Sequence, residues 1–330
     1  MGAAARTFGE ATAFAMPTTV PPMPTPLTPD EDGEHSVLAG PGRGQQLARA
    51  IPKLVRWPNL AIMLLSLVLV RGPLLQPLLP LSQSLLSLRF GLLVLAALLV
   101  AAAGYIINDY YDVKIDAINR PDRLVVGRLV RRRHAMLAHL VLSGVGVGLA
   151  AVLSPLLGLV TLGAALLLWG YSARFKRLPL VGNMSIGVLT AALVLLPELQ
   201  LLTGRRAVWA YALAAFLLTV VREIVKDIED MRGDAQHGCH TLPLVWGMVR
   251  SKWVAGVFLV SLAALVLGVV EPLLATGRGA LVVWLLVLVL GPLGWLAHLL
   301  VGADRRRHFR QLSTWCKGIM LAGVLSMLLA

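Results

Sequence analysis

Residues 88–116 read LRFGLLVLAALLVAAAGYIINDYYDVKID. Residues 88–107 carry one charge, Arg89, and about twenty apolar residues are enough to cross ~30 Å of hydrocarbon as a helix. The stretch then turns acidic, with Asp109, Asp112 and Asp116 at positions i, i+3 and i+7. At ~100° per residue these fall within a ~60° arc, so a continuing helix lines three carboxylates on one face. Asn108 lies ~100° from Asp109, and the four residues share about a quarter-turn. Like charges stacked in this way repel, and the edge of a bilayer makes ionised groups costlier still. The arrangement calls for something cationic opposite it.

The same D-x-x-D-x-x-x-D spacing returns 118 residues later, at Asp227, Asp230 and Asp234. It again stands where an apolar segment runs into a basic loop. Hard divalent ions take carboxylate oxygens, and Mg²⁺ commonly shares its shell with substrate phosphates. Two acidic faces on one side of a membrane therefore predict a shared metal and phosphate site.

Working outward, 57% of the 330 residues are hydrophobic, 14% are charged, and mean hydropathy is +0.77. A soluble domain would carry closer to ~25% charge. Apolar runs predict nine membrane helices, at 59–79, 88–107, 135–153, 155–171, 183–203, 207–225, 253–271, 279–302 and 315–330. The fold class is all-α, one polytopic bundle over residues 46–330. The net charge of +13 is a topology signal, not a sign of nucleic-acid binding. With the N-terminus inside, only Arg71, Arg89, Arg205, Arg206 and Arg278 of the 30 Lys and Arg fall outside. Both aspartate motifs then lie at the cytoplasmic face.

Residues 1–45 are rich in proline, run into Asp30-Glu31-Asp32, and predict a disordered cytoplasmic arm. Cys239 and Cys316 lack the spacing of a disulfide framework, and His237 and His240 beside Cys239 read as plain loop.

Cations cluster beside the acids. Arg120 and Arg123 follow the first motif, Lys176 and Arg177 close the fourth span, and Arg56 with Asn59 opens the first. Arg and Lys bind the oxygens of a diphosphate that a metal leaves uncovered. The runs Arg131–Arg133 and Arg305–Arg307 read instead as membrane-surface anchors. In the second motif, Glu223 lies one turn before Asp227, deeper in the membrane, where an acid is a candidate base or one half of an ion pair. Gly233 predicts that this helix frays where Asp234 is presented.

The motif pair, N-D-x-x-D-x-x-x-D at the second span and D-x-x-D-x-x-x-D at the sixth, resembles the UbiA superfamily of intramembrane prenyltransferases over about residues 50–330. The resemblance implies a helical barrel around a central cavity, opening sideways to lipid. It implies Mg²⁺ as cofactor, a prenyl diphosphate donor and a lipophilic acceptor. By position it makes Asn108, Asp109, Asp112 and Asp116 metal ligands from one side and Asp227, Asp230 and Asp234 from the other. Turnover would depend on Asp112 and Asp230, with Arg120, Arg123, Lys176 and Arg177 on the diphosphate. Residues 222–234 and Thr241-Leu242-Pro243-Leu244 are similar to the geranylgeranylglyceryl phosphate geranylgeranyltransferase branch. Leu124-Val125-Val126-Gly127 departs from that branch, so quinone- and chlorophyll-type aromatic acceptors stay open. Arg56, Asn59, Glu223, Lys226 and Arg232 are the acceptor candidates. No obligatory protein partner is implied. A cation transporter is the reading from another class, and it predicts acids near mid-membrane.

Overall fold

The computed structural model describes residues 50–119, 125–236 and 238–330. These belong to one compact unit, Pro41–Ala330; the arm read over residues 1–45 lies outside the described residues. Nine helices among the described residues are long and apolar enough to cross a membrane. They are α1 (Trp57–Leu75), α2 (Leu88–Asn119), α3 (Arg132–Leu153), α4 (Pro155–Ala173), α5 (Val181–Leu201), α6 (Arg206–Gln236), α7 (Leu242–Ala275), α8 (Gly279–Gly302) and α9 (Arg306–Leu329).

Local chemistry sets the boundaries. Ser154 takes an extended conformation between α3 and α4, and its hydroxyl accepts from the Leu157 N–H at 3.1 Å. Pro155 follows at the first helical position, where its missing N–H costs nothing. This one-residue corner is the tight connection that the sequence predicts.

Three expected boundaries need correction. The α6 helix does not fray at Gly233 but runs on to Gln236, because one glycine costs only about 1 kcal/mol against the bonds of a continuing helix. The turn comes at Gly238, in the left-handed region at φ 65. The α7 helix starts at Leu242, not near 253, and breaks its regularity at Gly247, whose φ of 81 and ψ of 162 suit a residue with no Cβ. The α9 helix starts at Arg306, not near 315. Its first turns are amphipathic, with Phe309, Leu312, Cys316 and Ile319 buried on one face, so no apolar run announces them.

Each helix packs on the next, and α9 returns to α1, closing a ring. One core cluster joins α1 to α5 around Leu67, Leu93 and Leu157; a second joins α6 to α9 around Ile224, Leu262 and Phe309. The outer face is apolar and exposed, as at Val145, Leu159, Trp253 and Val260. Inside the ring is a cavity of about 1600 Å³.

Candidate active site

The two acidic helix ends meet at that cavity. Asn108, Asp109 and Asp112 from α2 line it, as do Asp227, Asp230 and Asp234 from α6. Below them the walls turn apolar, with Val100, Leu168, Leu189, Leu218 and Leu262. Asp116 lies on α2, but its side chain is outside the described residues, as are Arg120, Arg123 and His237.

Part of the opposing positive charge comes from the protein itself. Lys176, in the turn after α4, donates to Asp112 at 2.5 Å and to the Asn108 carbonyl at 3.3 Å. The Asn108 amide donates to the other Asp112 oxygen at 2.9 Å, so the three side chains form a closed triangle. Arg56 reaches Asp109 at 3.3 Å and lies 5.0 Å from the Tyr105 ring centroid, while Asn59 donates to the Tyr105 hydroxyl at 3.1 Å. Arg56 and Leu180 are both non-glycine residues in the left-handed region, at φ 51 and φ 63. Such strain, of order 1–2 kcal/mol each, sits in the two segments that aim cations at the acids.

Arg177 also lines the cavity, and its buried Nε meets no hydrogen-bond acceptor among the described residues. Arg232 lines the same cavity from an exposed position.

On α6 the partners differ. Asp227 accepts from the buried Asn183 amide of α5 at 2.7 Å. Asp230 meets Arg306 of α9 at 3.6 Å, and Thr241 donates to Asp234 at 3.5 Å. Glu223 is clamped between Arg222 at 2.5 Å and Lys226 at 3.7 Å. Both contacts are to cations, so the ion-pair reading of Glu223 prevails. Burial pushes the Cys239 thiol up from its ordinary value, with Asp234 adding to the effect, so it stays a neutral thiol.

Two readings of the basic runs need correction. Arg306 is no mere surface anchor, since it faces Asp230; Arg132 lies 4.5 Å from the Tyr110 ring centroid, packed on α2. Asn183 and Arg306 were the site residues that sequence reasoning passed over. An amide at the start of an apolar span was a visible signal for the first. Nothing local distinguished Arg306 within its run.

Among the described residues, no three His, Cys, Asp or Glu side chains converge as a self-sufficient metal cage. The donors that line the cavity are hard oxygens spread over two facing helices. This fits Mg²⁺, which favours one or two carboxylates with phosphate and water over an all-protein cage.

The turn that carries Lys176 is seated by a close backbone approach. A Cβ on Gly182 would sit 2.9 Å from the Lys176 Cα and 3.0 Å from the Phe175 carbonyl. Gly182→Ala should push Lys176 off Asp112 and weaken the binding of inorganic diphosphate several-fold, with the protein still folded. Unchanged binding would show that the turn's position is unimportant.

Two acidic helix ends facing one apolar cavity set the frame for comparison with known proteins. A model of the UbiA prenyltransferase family matches residues 60–317. The chain belongs to this family. It is thus an integral membrane protein and an enzyme of prenyl transfer. The digeranylgeranylglyceryl phosphate synthase of Methanospirillum hungatei is 37% identical over 195 residues, which are 58% of this chain and 68% of that protein. The synthase of the same name from Methanopyrus kandleri is 40% identical over 169 residues, 51% of this chain and 62% of its own length. Two solved structures share the UbiA fold. One, from work on digeranylgeranylglyceryl phosphate synthase in membranes, has a TM-score of 0.67 at 23% identity, covering 86% of this chain and 99% of that one. The other, a UbiA homologue from Archaeoglobus fulgidus bound to DMAPP and Mg²⁺, has a TM-score of 0.58 at 18% identity, covering 84% and 98%.

Proposed function

We propose that this UbiA protein transfers a geranylgeranyl group from its allylic diphosphate to the free hydroxyl of geranylgeranylglyceryl phosphate, making an ether lipid. The observation that carries the reading is the convergence of both acidic helix ends on one cavity, polar at that end and apolar beneath. The names of the two relatives support the acceptor. A volume of about 1600 Å³ exceeds the ~300–1,000 Å³ of ordinary ligand pockets, as two long chains require.

In this reading Asn108, Asp109, Asp112, Asp116, Asp227, Asp230 and Asp234 hold Mg²⁺, which when bound neutralises charge that builds on the departing diphosphate. Lys176 and Arg177, with Arg120 and Arg123, take the remaining diphosphate oxygens. The allylic C–O bond breaks, its electron pair leaves with the diphosphate, and positive charge develops on the prenyl carbon. Apolar walls at Leu168, Leu189 and Leu218 keep water from that carbon. Arg56, Asn59, Lys226 and Arg232 orient the acceptor, whose hydroxyl oxygen forms the new C–O bond. Glu223, paired with Arg222 and Lys226, balances charge beside the acceptor, and the hydroxyl proton leaves with the diphosphate. The Lys and Arg bias supports a cytoplasmic N-terminus and a site on the cytoplasmic side.

An acceptor panel tests the reading. Purified protein with radiolabelled geranylgeranyl diphosphate is offered geranylgeranylglyceryl phosphate, 4-hydroxybenzoate, homogentisate and a naphthoate. The ether lipid should be the dominant product, and an aromatic product in its place would overturn the acceptor.

A further inference from the structure

A second concavity, of about 250 Å³, lies between α6 and α9. It shares Arg222, Lys226, Glu229, Asp230 and Arg306 with the main cavity, so the two adjoin. Its cations are Arg222 and Lys226 from α6 and Arg306, Arg310 and Lys317 from α9. Three carboxylates answer these five: Glu229, Asp230 and Glu223, the last clamped by Arg222 and Lys226. The surplus is two positive charges. A phosphomonoester carries about −1.5 to −2 at neutral pH, which matches it.

The α9 cations are loosely committed. Arg310 meets Glu229 at 3.2 Å with 71% of its side chain exposed, and Arg306 meets Asp230 at 3.6 Å with 64% exposed. Their free N–H groups remain available for further oxygens. Surface anchors would point outward to lipid headgroups, whereas these lie across a concavity from the cations of α6.

Position adds to charge. In a glyceryl phosphate the nucleophilic hydroxyl and the phosphate are only a few bonds apart. Its phosphate subsite must therefore abut the diphosphate site yet use separate cations, or donor and acceptor would compete. This pocket shares Asp230 with the metal-binding face, while the diphosphate cations Lys176 and Arg177 lie outside it.

We infer that the α6–α9 pocket binds the phosphomonoester headgroup of the lipid acceptor. The inference rests on the acceptor reading above and assigns Arg310 and Lys317 a role in acceptor selection.

The test uses the full protein in nanodiscs and the double variant Arg310→Ala/Lys317→Ala. The KM for geranylgeranylglyceryl phosphate should rise about tenfold or more, as the loss of charge-assisted hydrogen bonds implies. The KM for the donor should hold, as should transfer to geranylgeranylglycerol, which lacks the phosphate. The exchange Arg310→Lys/Lys317→Arg should restore most of the acceptor affinity, which a merely structural role would not predict. An unchanged acceptor KM overturns the inference. So does a change confined to product inhibition by inorganic diphosphate, which would make the pocket a leaving-group exit.

Equilibrium titration with glycerol phosphate and with inorganic phosphate separates the two readings. Should the wild type prenylate only an aromatic acceptor, the acceptor reading fails. Glycerol phosphate binding that the double variant loses then still supports an anion pocket, and no binding to the wild type refutes it. Equal affinity for inorganic phosphate and for the glyceryl ester would assign the pocket to free phosphate and overturn its headgroup role.

Discussion

Asp112→Asn is expected to slow prenyl transfer by on the order of 10² to 10³-fold, the loss seen when one preorganised charge at a reacting centre is removed. Asp112 sits at the centre of the α2 site, held by the Asn108 amide on one oxygen and by Lys176 on the other. An asparagine keeps the volume and one acceptor oxygen but presents an NH₂ group to neighbours that are themselves donors. Lys176 then loses its counter-charge, and the α2 face loses a carboxylate. Asp230→Asn should produce a similar fall by another route. Its partner Arg306 is exposed and 3.6 Å away, so folding is barely touched while a carboxylate on the α6 face is lost. Turnover in proteoliposomes, with insertion and thermal stability measured in parallel, checks both. Near-normal turnover in both variants would remove the metal-bridged model.

Chelation should have an equally large effect. EDTA is expected to abolish transfer and Mg²⁺ to restore it, with donor binding lost and regained in step. No closed cage of acids exists among the described residues, so an ion there depends on substrate phosphate to complete its shell. Such an ion is readily stripped from the resting enzyme. Transfer that survives EDTA, after dialysis against metal-free buffer, would leave the carboxylates without the role assigned to them.

Much of the architecture was legible in local pattern. Apolar length predicted the nine spans, and the i, i+3, i+7 spacing placed both acid sets on helix faces. Errors fell where pattern is weak. The first turns of α9 are amphipathic, with Phe309 and Leu312 buried beside Arg306, Arg307 and Arg310, and a search for apolar runs passes over them. Gly233 signalled a helix end that the surrounding hydrogen bonds override. At the site, the family motif and the nearby cations were visible in the chain, as was Lys176. Asn183 and Arg306 were not recognised, because their partners are chosen by packing between helices distant in sequence.

Periodicity and hydropathy are properties of neighbouring residues, so the sequence alone determined a nine-span membrane bundle with two acidic helix ends. Which cation meets which carboxylate is a different matter. Lys176 reaches Asp112, Asn183 reaches Asp227 and Arg306 reaches Asp230 only because the ring of helices closes around one cavity. Contacts of that kind depend on helix rotation and register, which only the assembled tertiary structure decides.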